Sequence, residues 1–222
     1  MKILITGGDG KFAQALKNEN PELYYTPNRS QLNLLEPMSI KQYTSIITDV
    51  DGIILNATSI PRVPDDWFNE DSIKEFNNIF SLYVIATHQL IQQYSSTLKF
   101  VIGLSTRLIN KNDRMGEPYS YIFGKELLTN HLFRLSCNGK YKHIKMFSIN
   151  PGPMQNEKEY QFHAKLMYNI VNNYENYESG ETFGIRDGVS NDMAEKFMQL
   201  SNVIEKNNWL KPIVNEKSME LI

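Results

Sequence analysis

Lys2-Ile3-Leu4-Ile5-Thr6-Gly7-Gly8-Asp9-Gly10 stands near the N-terminus, and Lys11-Phe12-Ala13 through Leu16 follow it with apolar residues at helical spacing. The short run rich in branched apolar residues reads as a buried strand, and the glycines stop it. A strand that passes through glycines into a helix suits phosphate. Glycine lets the backbone come close to a pyrophosphate, and the helix N-terminus supplies unpaired N–H groups and the positive end of its dipole. Gly7, Gly10 and Ala13 occupy the three spaced positions of the dinucleotide-binding fingerprint, which admits alanine at the third. Lys11 and Phe12, at the head of the helix, are candidate contacts with the same ligand. The strand before the motif and the helix after it are the context that gives it weight.

The second strand reads as Leu23-Tyr24-Tyr25-Thr26 and ends at Pro27-Asn28-Arg29-Ser30. An acid at the end of this strand would hold the ribose 2′-OH of NAD, whereas an arginine suits a 2′-phosphate. Here there is Arg29 and no acid, with Lys11 as a second candidate cation, so NADP(H) is the preferred cofactor and NAD(H) the alternative. Asn33 and Leu34 fall where the chain would turn back beneath the adenine. A helix over 37–46 leads to the strand Gly52-Ile53-Ile54-Leu55-Asn56-Ala57, closed by Thr58-Ser59. Asn56, Ala57 and Thr58 therefore lie at the carboxyl end of a buried strand, where open α/β sheets bind ligands.

A long helix is expected over roughly 71–94, with Phe76, Ile79, Phe80, Tyr83, Val84, Leu90 and Ile91 as its apolar stripe. Asn77 and Asn78 interrupt that stripe, and a polar amide there must find partners or stay exposed. Leu98 to Leu104 reads as the next strand and delivers Ser105-Thr106 at its end, where a hydroxyl serves either a substrate carbonyl or an ordinary turn. Tyr121 and Lys125 then stand one helical turn apart on one face. A cation beside a phenol favours the phenolate and brings proton transfer within range of neutral pH, so the pair has a use in acid–base catalysis. Ile144 to Ile149 makes one more strand, closed by Asn150-Pro151-Gly152-Pro153, a turn able to place Pro151 and Gly152 beside a ligand at the carboxyl edge of the sheet.

With 222 residues, 41% hydrophobic and 22% charged, the chain suits one domain over 1–222 and is not of disordered composition. A net charge of -2 with scattered basic residues argues against a nucleic-acid or acidic-membrane surface and leaves small molecules as the partners to expect. No apolar run approaches the ~20 residues of a membrane span, and the first apolar run meets glycine too early for a signal peptide, so a cytoplasmic location is expected. One cysteine, Cys137, and four scattered histidines offer no disulfide and no metal-ligand spacing. A helix is expected over 163–177, an extended turn over 180–184, a final helix over 192–206 and an edge strand at 210–214. Residues 155–185 are the expected substrate-side lid.

Thr6-Gly7-Gly8-Asp9-Gly10, Asn56-Ala57, an Asn in the long helix, Ser105, Tyr121-x-x-x-Lys125 and Asn150-Pro151-Gly152 occur in the order seen in short-chain dehydrogenases/reductases, which residues 1–155 resemble. Residues 1–16 and 29–37 look more like the nucleotide-sugar-reductase branch, such as dTDP-4-dehydrorhamnose reductases, while the short chain and the Pro-Gly turn look more like the compact branch, so the resemblance is to an atypical, divergent compact member. The resemblance implies a Rossmann-type α/β fold, a doubly wound parallel sheet flanked by helices on both faces in three layers. It also implies hydride transfer between a nicotinamide and a carbonyl or secondary alcohol. Tyr121 would be the general acid/base, Lys125 would lower the phenol's pKa and hold the nicotinamide ribose, Ser105 (or Thr106) would orient the carbonyl, and Asn78 (or Asn77) would hold a water. Homo-dimers or homo-tetramers would form through the helices 71–94 and 119–138. The chain departs from the family pattern at Thr58, where glycine is usual, at Asn33, where aspartate is usual, and in the sixteen residues from Ser105 to Tyr121. The rival reading is a catalytically silent cofactor-binding protein on the same fold.

Overall fold

The computed structural model describes residues 1–58, 70–106, 119–151, 154, 156–185 and 210–212. They form a seven-stranded sheet: β1 (Ile3–Ile5), β2 (Tyr24–Tyr25), β3 (Gly52–Leu55), β4 (Phe100–Leu104), β5 (Lys145–Asn150), β6 (Thr182–Ile185) and β7 (Leu210–Pro212). The spatial order is β2-β1-β3-β4-β5-β6-β7, parallel throughout except for β7, which runs antiparallel to β6. Pro212 sits in that last strand, where a missing N–H is tolerated.

Period-2 alternation in the apolar runs divides the core in two. Ile3, Ile5, Ile54, Phe100, Ile102, Phe147 and Ile149 pack on one face with α1 (Lys11–Glu19) and α6 (Glu157–Asn172). Leu4, Ile53, Leu55, Val101 and Met146 point the other way, against residues of α2 (Pro37–Ile46), α3 (Glu70–Phe80), α4 (Thr87–Tyr94) and α5 (Tyr119–Ser136). Strands buried on both faces need apolar residues at nearly every position, which is why they read as continuous runs. The result is the expected three-layer, doubly wound sheet. Among the described residues, no helix is long and apolar enough to cross a membrane.

The expected helix over 71–94 is one continuous rod carrying a π-helical segment, Ser81–Ala86, between α3 and α4. Phe80 and Thr87 keep helical backbone angles on either side of the wider turn. Two expectations in the last third need correction. The helix placed at 163–177 is α6, Glu157–Asn172, begun earlier because the Asn156 side chain accepts the Glu159 N–H at 3.0 Å, with Glu157 and Glu159 in its first turn. The extended turn expected over 180–184 overlaps β6, hydrogen-bonded beside β5 after a turn in which Gly180 takes φ +90°. Within the segment expected as a lid, α6 buries Phe162, Ala164, Met167, Ile170 and Val171. The helix expected over 192–206 lies outside the described residues.

β1 lies between β2 and β3, so the crossovers from β1 to β2 and from β2 to β3 leave in opposite directions, opening a crevice at the carboxyl ends of β1 and β3. Thr6 closes the base of that crevice. Its buried hydroxyl accepts the backbone N–H of both Asn56 and Ala57 at 3.0 Å, and the Asn56 amide donates back to the Thr6 carbonyl at 3.1 Å and the Gly7 carbonyl at 3.3 Å. Thr6→Val keeps the shape and removes the acceptor, so it is expected to lower the unfolding free energy by about 1–3 kcal/mol in urea denaturation, whereas Thr6→Ser should cost well under half of that.

Candidate active site

The glycine loop is forced by its neighbours. Gly7 takes φ +70°, and a Cβ on it would stand 2.9 Å from the Ala57 Cα. Gly8, passed over by the fingerprint reading, is more confined still, because its Cβ would collide with the Thr26 carbonyl and stand 2.6 Å from the Pro27 oxygen. The Gly8 N–H donates to Pro27 O at 3.1 Å, the Gly10 N–H to Gly7 O at 3.0 Å, and the Gln14 side chain, also unanticipated, donates to the Gly8 carbonyl. Gly10 is the N-cap of α1 without a side-chain cap, so the first N–H groups of the helix face the crevice with no intrahelical acceptor.

Above this loop lies a cleft of about 440 Å³. Gly7, Gly10, Lys11, Phe12, Arg29, Asn33, Leu34, Asn56, Ala57 and Thr58, the sequence-derived candidates from the first half of the chain, all line it. Asp9, Pro27, Leu32, Leu35, Leu82, Met154 and Tyr160 line it as well. Apolar periodicity explains why Leu82 and Tyr160 were missed, since both lie on helices whose apolar residues were read as packing. Phe12 has its ring in the core at 4% exposure, so its contribution to the cleft edge is small. Asn33 is engaged by its own turn: its Oδ1 accepts the Leu35 N–H at 3.2 Å and its amide donates to Glu36 at 2.6 Å. Arg29 and Lys11 are exposed at the cleft, Lys11 with its ammonium 6.0 Å from the Tyr160 ring. The Arg29 loop is shaped by Asn28, whose Oδ1 accepts from Ser30 Oγ at 2.7 Å and from the Gln31 N–H at 3.0 Å.

The second half of the site centres on Lys125. Its side chain is 3% exposed, and Nζ donates to the Leu104 carbonyl at 2.8 Å. The rings of Tyr83 and Tyr121 flank the ammonium, with centroids at 5.5 and 5.9 Å. Burial pushes the Lys125 pKa down to about 8. Tyr121 is half-buried on the same helix, one turn before it. The cleft joins this group through Thr58, whose hydroxyl is 2.9 Å from the Tyr83 hydroxyl.

Ser105 is 5% exposed and turned toward α5, where its Oγ is 3.1 Å from Thr129 Oγ1. Thr106, the alternative hydroxyl, is half-buried one residue further on. Asn78 is half-buried beside Ile79, which packs toward Gly124, while Asn77 is exposed. Pro151 is buried just after β5, and Gly152 lies outside the described residues.

The sheet, the crevice and the Tyr121–Lys125 helix together give the fold of the short-chain dehydrogenases/reductases. The protein lin1944 from Listeria innocua is similar to this chain with a TM-score of 0.67, covering 84% of this chain and 100% of that one at 14% identity. A Serratia marcescens short-chain dehydrogenase/reductase is similar at a TM-score of 0.65, over 83% of this chain and 95% of that one, with 12% identity. A Brucella ovis oxidoreductase of the same family, in complex with a partially ordered NAD, gives 0.66 over 83% and 99%, again with 12% identity. No protein-family model and no curated protein sequence matches the chain. The likeness to dTDP-4-dehydrorhamnose reductases remains one of sequence motifs, without support from these neighbours.

Lys125 makes the fold weaker at neutral pH. Its folded pKa lies below the ordinary 10.5, so the unfolded chain binds the extra proton between about 8 and 10.5 and stability rises with pH across that window. Below it the cost is present in full, of the order of 3 kcal/mol from the shift alone. Lys125→Met should therefore be more stable than the parent at pH 7 by about 1–3 kcal/mol, and the gap should narrow as pH rises from 8 toward 10.5 when followed by urea denaturation.

Proposed function

We propose that this protein is a short-chain dehydrogenase/reductase, an NADP(H)-preferring oxidoreductase acting on a carbonyl or secondary alcohol. The observation that carries the reading is the fully buried Lys125 beside Tyr121, joined through Tyr83 and Thr58 to a cleft that begins at the glycine loop. The residues present fit a dinucleotide. Gly7 and Gly8 leave a backbone cradle that any Cβ would disrupt, and the start of α1 offers N–H groups and a positive dipole end to a pyrophosphate. Asn56, Ala57 and Thr58 border the cleft beyond it, and Arg29 with Lys11 would meet a 2′-phosphate at its rim. Asp9 on the same rim is the residue that opposes this preference. A bound nicotinamide supplies hydride chemistry, which no side chain of the protein can replace.

Within this reading Tyr121 gives a proton to, or takes one from, the substrate oxygen, and Lys125 holds a positive charge within one turn of that phenol. Ser105 orients the carbonyl, with Thr106 the alternative hydroxyl one residue on; a single contact at 3.1 Å with Thr129 Oγ1 leaves the Ser105 hydroxyl capacity for a second partner. Asn78 is favoured over Asn77 because it is half-buried and Asn77 is exposed. The substrate side is bordered by Met154 and Tyr160, the described residues of the last third that reach the cleft. Ile73, Phe80 and Ile85 on the long helix and Phe133 on α5 expose large apolar side chains, which supports self-association through these helices.

Turnover in a carbonyl-substrate screen with NADPH should fall by about 10²–10⁴-fold in Tyr121→Phe while NADPH fluorescence titration shows near-parental affinity. Ser105→Ala should lose far more activity than Thr106→Val, and the reverse order would give the role to Thr106. Arg29→Ala should weaken NADPH binding by about tenfold or more and leave NADH binding nearly unchanged, since an arginine–phosphate contact is charge-assisted. Binding of NADPH without turnover across a broad panel would favour the silent cofactor-binding protein instead.

A further inference from the structure

Tyr83 has no role in the sequence-based assignment, yet it touches both halves of the site. It belongs to the π-helical segment and is 1% exposed. Its hydroxyl pairs at 2.9 Å with Thr58, a residue of the cleft, and its ring flanks the Lys125 ammonium at 5.5 Å. Gly124 makes room for that ring, since a Cβ there would stand 2.8 Å from Tyr83 Cδ2 and 3.3 Å from Ile79 Cγ2. A π turn inside a helix shifts the side chains that follow it relative to a regular helix, and this one presents Tyr83 to Gly124 and Lys125.

We propose that Tyr83 is a positioning residue for Lys125, its hydroxyl bond to Thr58 tying the wall of the lysine chamber to the floor of the cleft. The bond fixes the ring, and the ring fixes the volume in which the ammonium stands. Among the described residues, three groups stand against that ammonium from three elements: the Leu104 carbonyl from β4, the Tyr121 ring from α5 and the Tyr83 ring from the π segment. Tyr83 is tied to the cleft by its bond to Thr58, so a ligand that displaces or hydrogen-bonds Thr58 acts on Lys125 through the Tyr83 side chain. An attractive ring face and the exclusion of water both depend on the ring staying in place. The effect on turnover rests on the oxidoreductase reading, whereas the coupling is a property of the folded chain and is measurable without it.

The test is an NMR titration of full-length protein carrying ¹³Cε-labelled lysine, with the Lys125 signal identified by its loss in Lys125→Met. Tyr83→Phe keeps the ring and removes the hydroxyl, and Thr58→Val removes the partner at an exposed position where folding is not at stake. Each is expected to raise the Lys125 midpoint by about half a unit or more, as water gains access to the ammonium. The double variant should move it no further than the larger single change, because both break one bond. Gly124→Ala, which displaces the ring from the opposite side, should also move it. Midpoints in Tyr83→Phe and Thr58→Val that coincide with the parent would overturn the proposal, whatever the activity. A parent without turnover whose midpoints still shift would instead overturn the oxidoreductase reading and leave the coupling standing. In an active parent, Tyr83→Phe should lower kcat with NADPH affinity unchanged, and an unaltered kcat would count against a role in turnover.

Discussion

The Thr6 hydroxyl holds the ends of β1 and β3 together, and the rest of the site depends on that junction. The ladder between β1 and β3 runs as far as the Thr6 N–H, which donates to the Ile54 carbonyl at 3.0 Å, and beyond that bond it no longer sets how far apart the two ends lie. One buried oxygen accepting two consecutive N–H groups fixes it, and the returning Asn56 amide makes the clamp mutual. Gly7 then has Ala57 directly against it, which is why its turn admits no side chain. The cleft, the start of α1 and the placement of Thr58 all follow from this contact.

Lys125 represents the opposite kind of constraint. A cation withdrawn from water and held by one carbonyl and two aromatic rings costs stability and contributes little to packing that an apolar residue of similar length would not. Under the proposed function, this arrangement is chemistry retained at the expense of the fold. The two constraints meet in the Thr58–Tyr83 bond, so the cleft and the lysine chamber belong to one connected structure.

Much of the frame was legible in the chain because its causes are local. Short apolar runs, each stopped by small or turn-forming residues, announced β1, β3, β4 and β5, and the i to i+4 spacing of Tyr121 and Lys125 announced one shared helix face. The errors were local too. The start of α6 was missed because its cap is a single Asn156 side chain, and β6 was taken for a turn because its four residues are flanked by Gly180 and contain Gly184. Ser105 and its alternative Thr106 are adjacent at one strand end, and the contact of Ser105 with Thr129 across the layers has no signal in the sequence.

By itself the sequence determined the alternation of strands and helices, the glycine turn and the pairing of a phenol with a lysine, since each follows from backbone preference or periodicity over a few residues. The tertiary structure alone decided that Tyr83 stands against Lys125, that Gly124 must be bare to receive it, and that Gly8 is pinned against the residues that follow β2. These are contacts between residues tens of positions apart, set by how the layers stack, and no period in the chain encodes them.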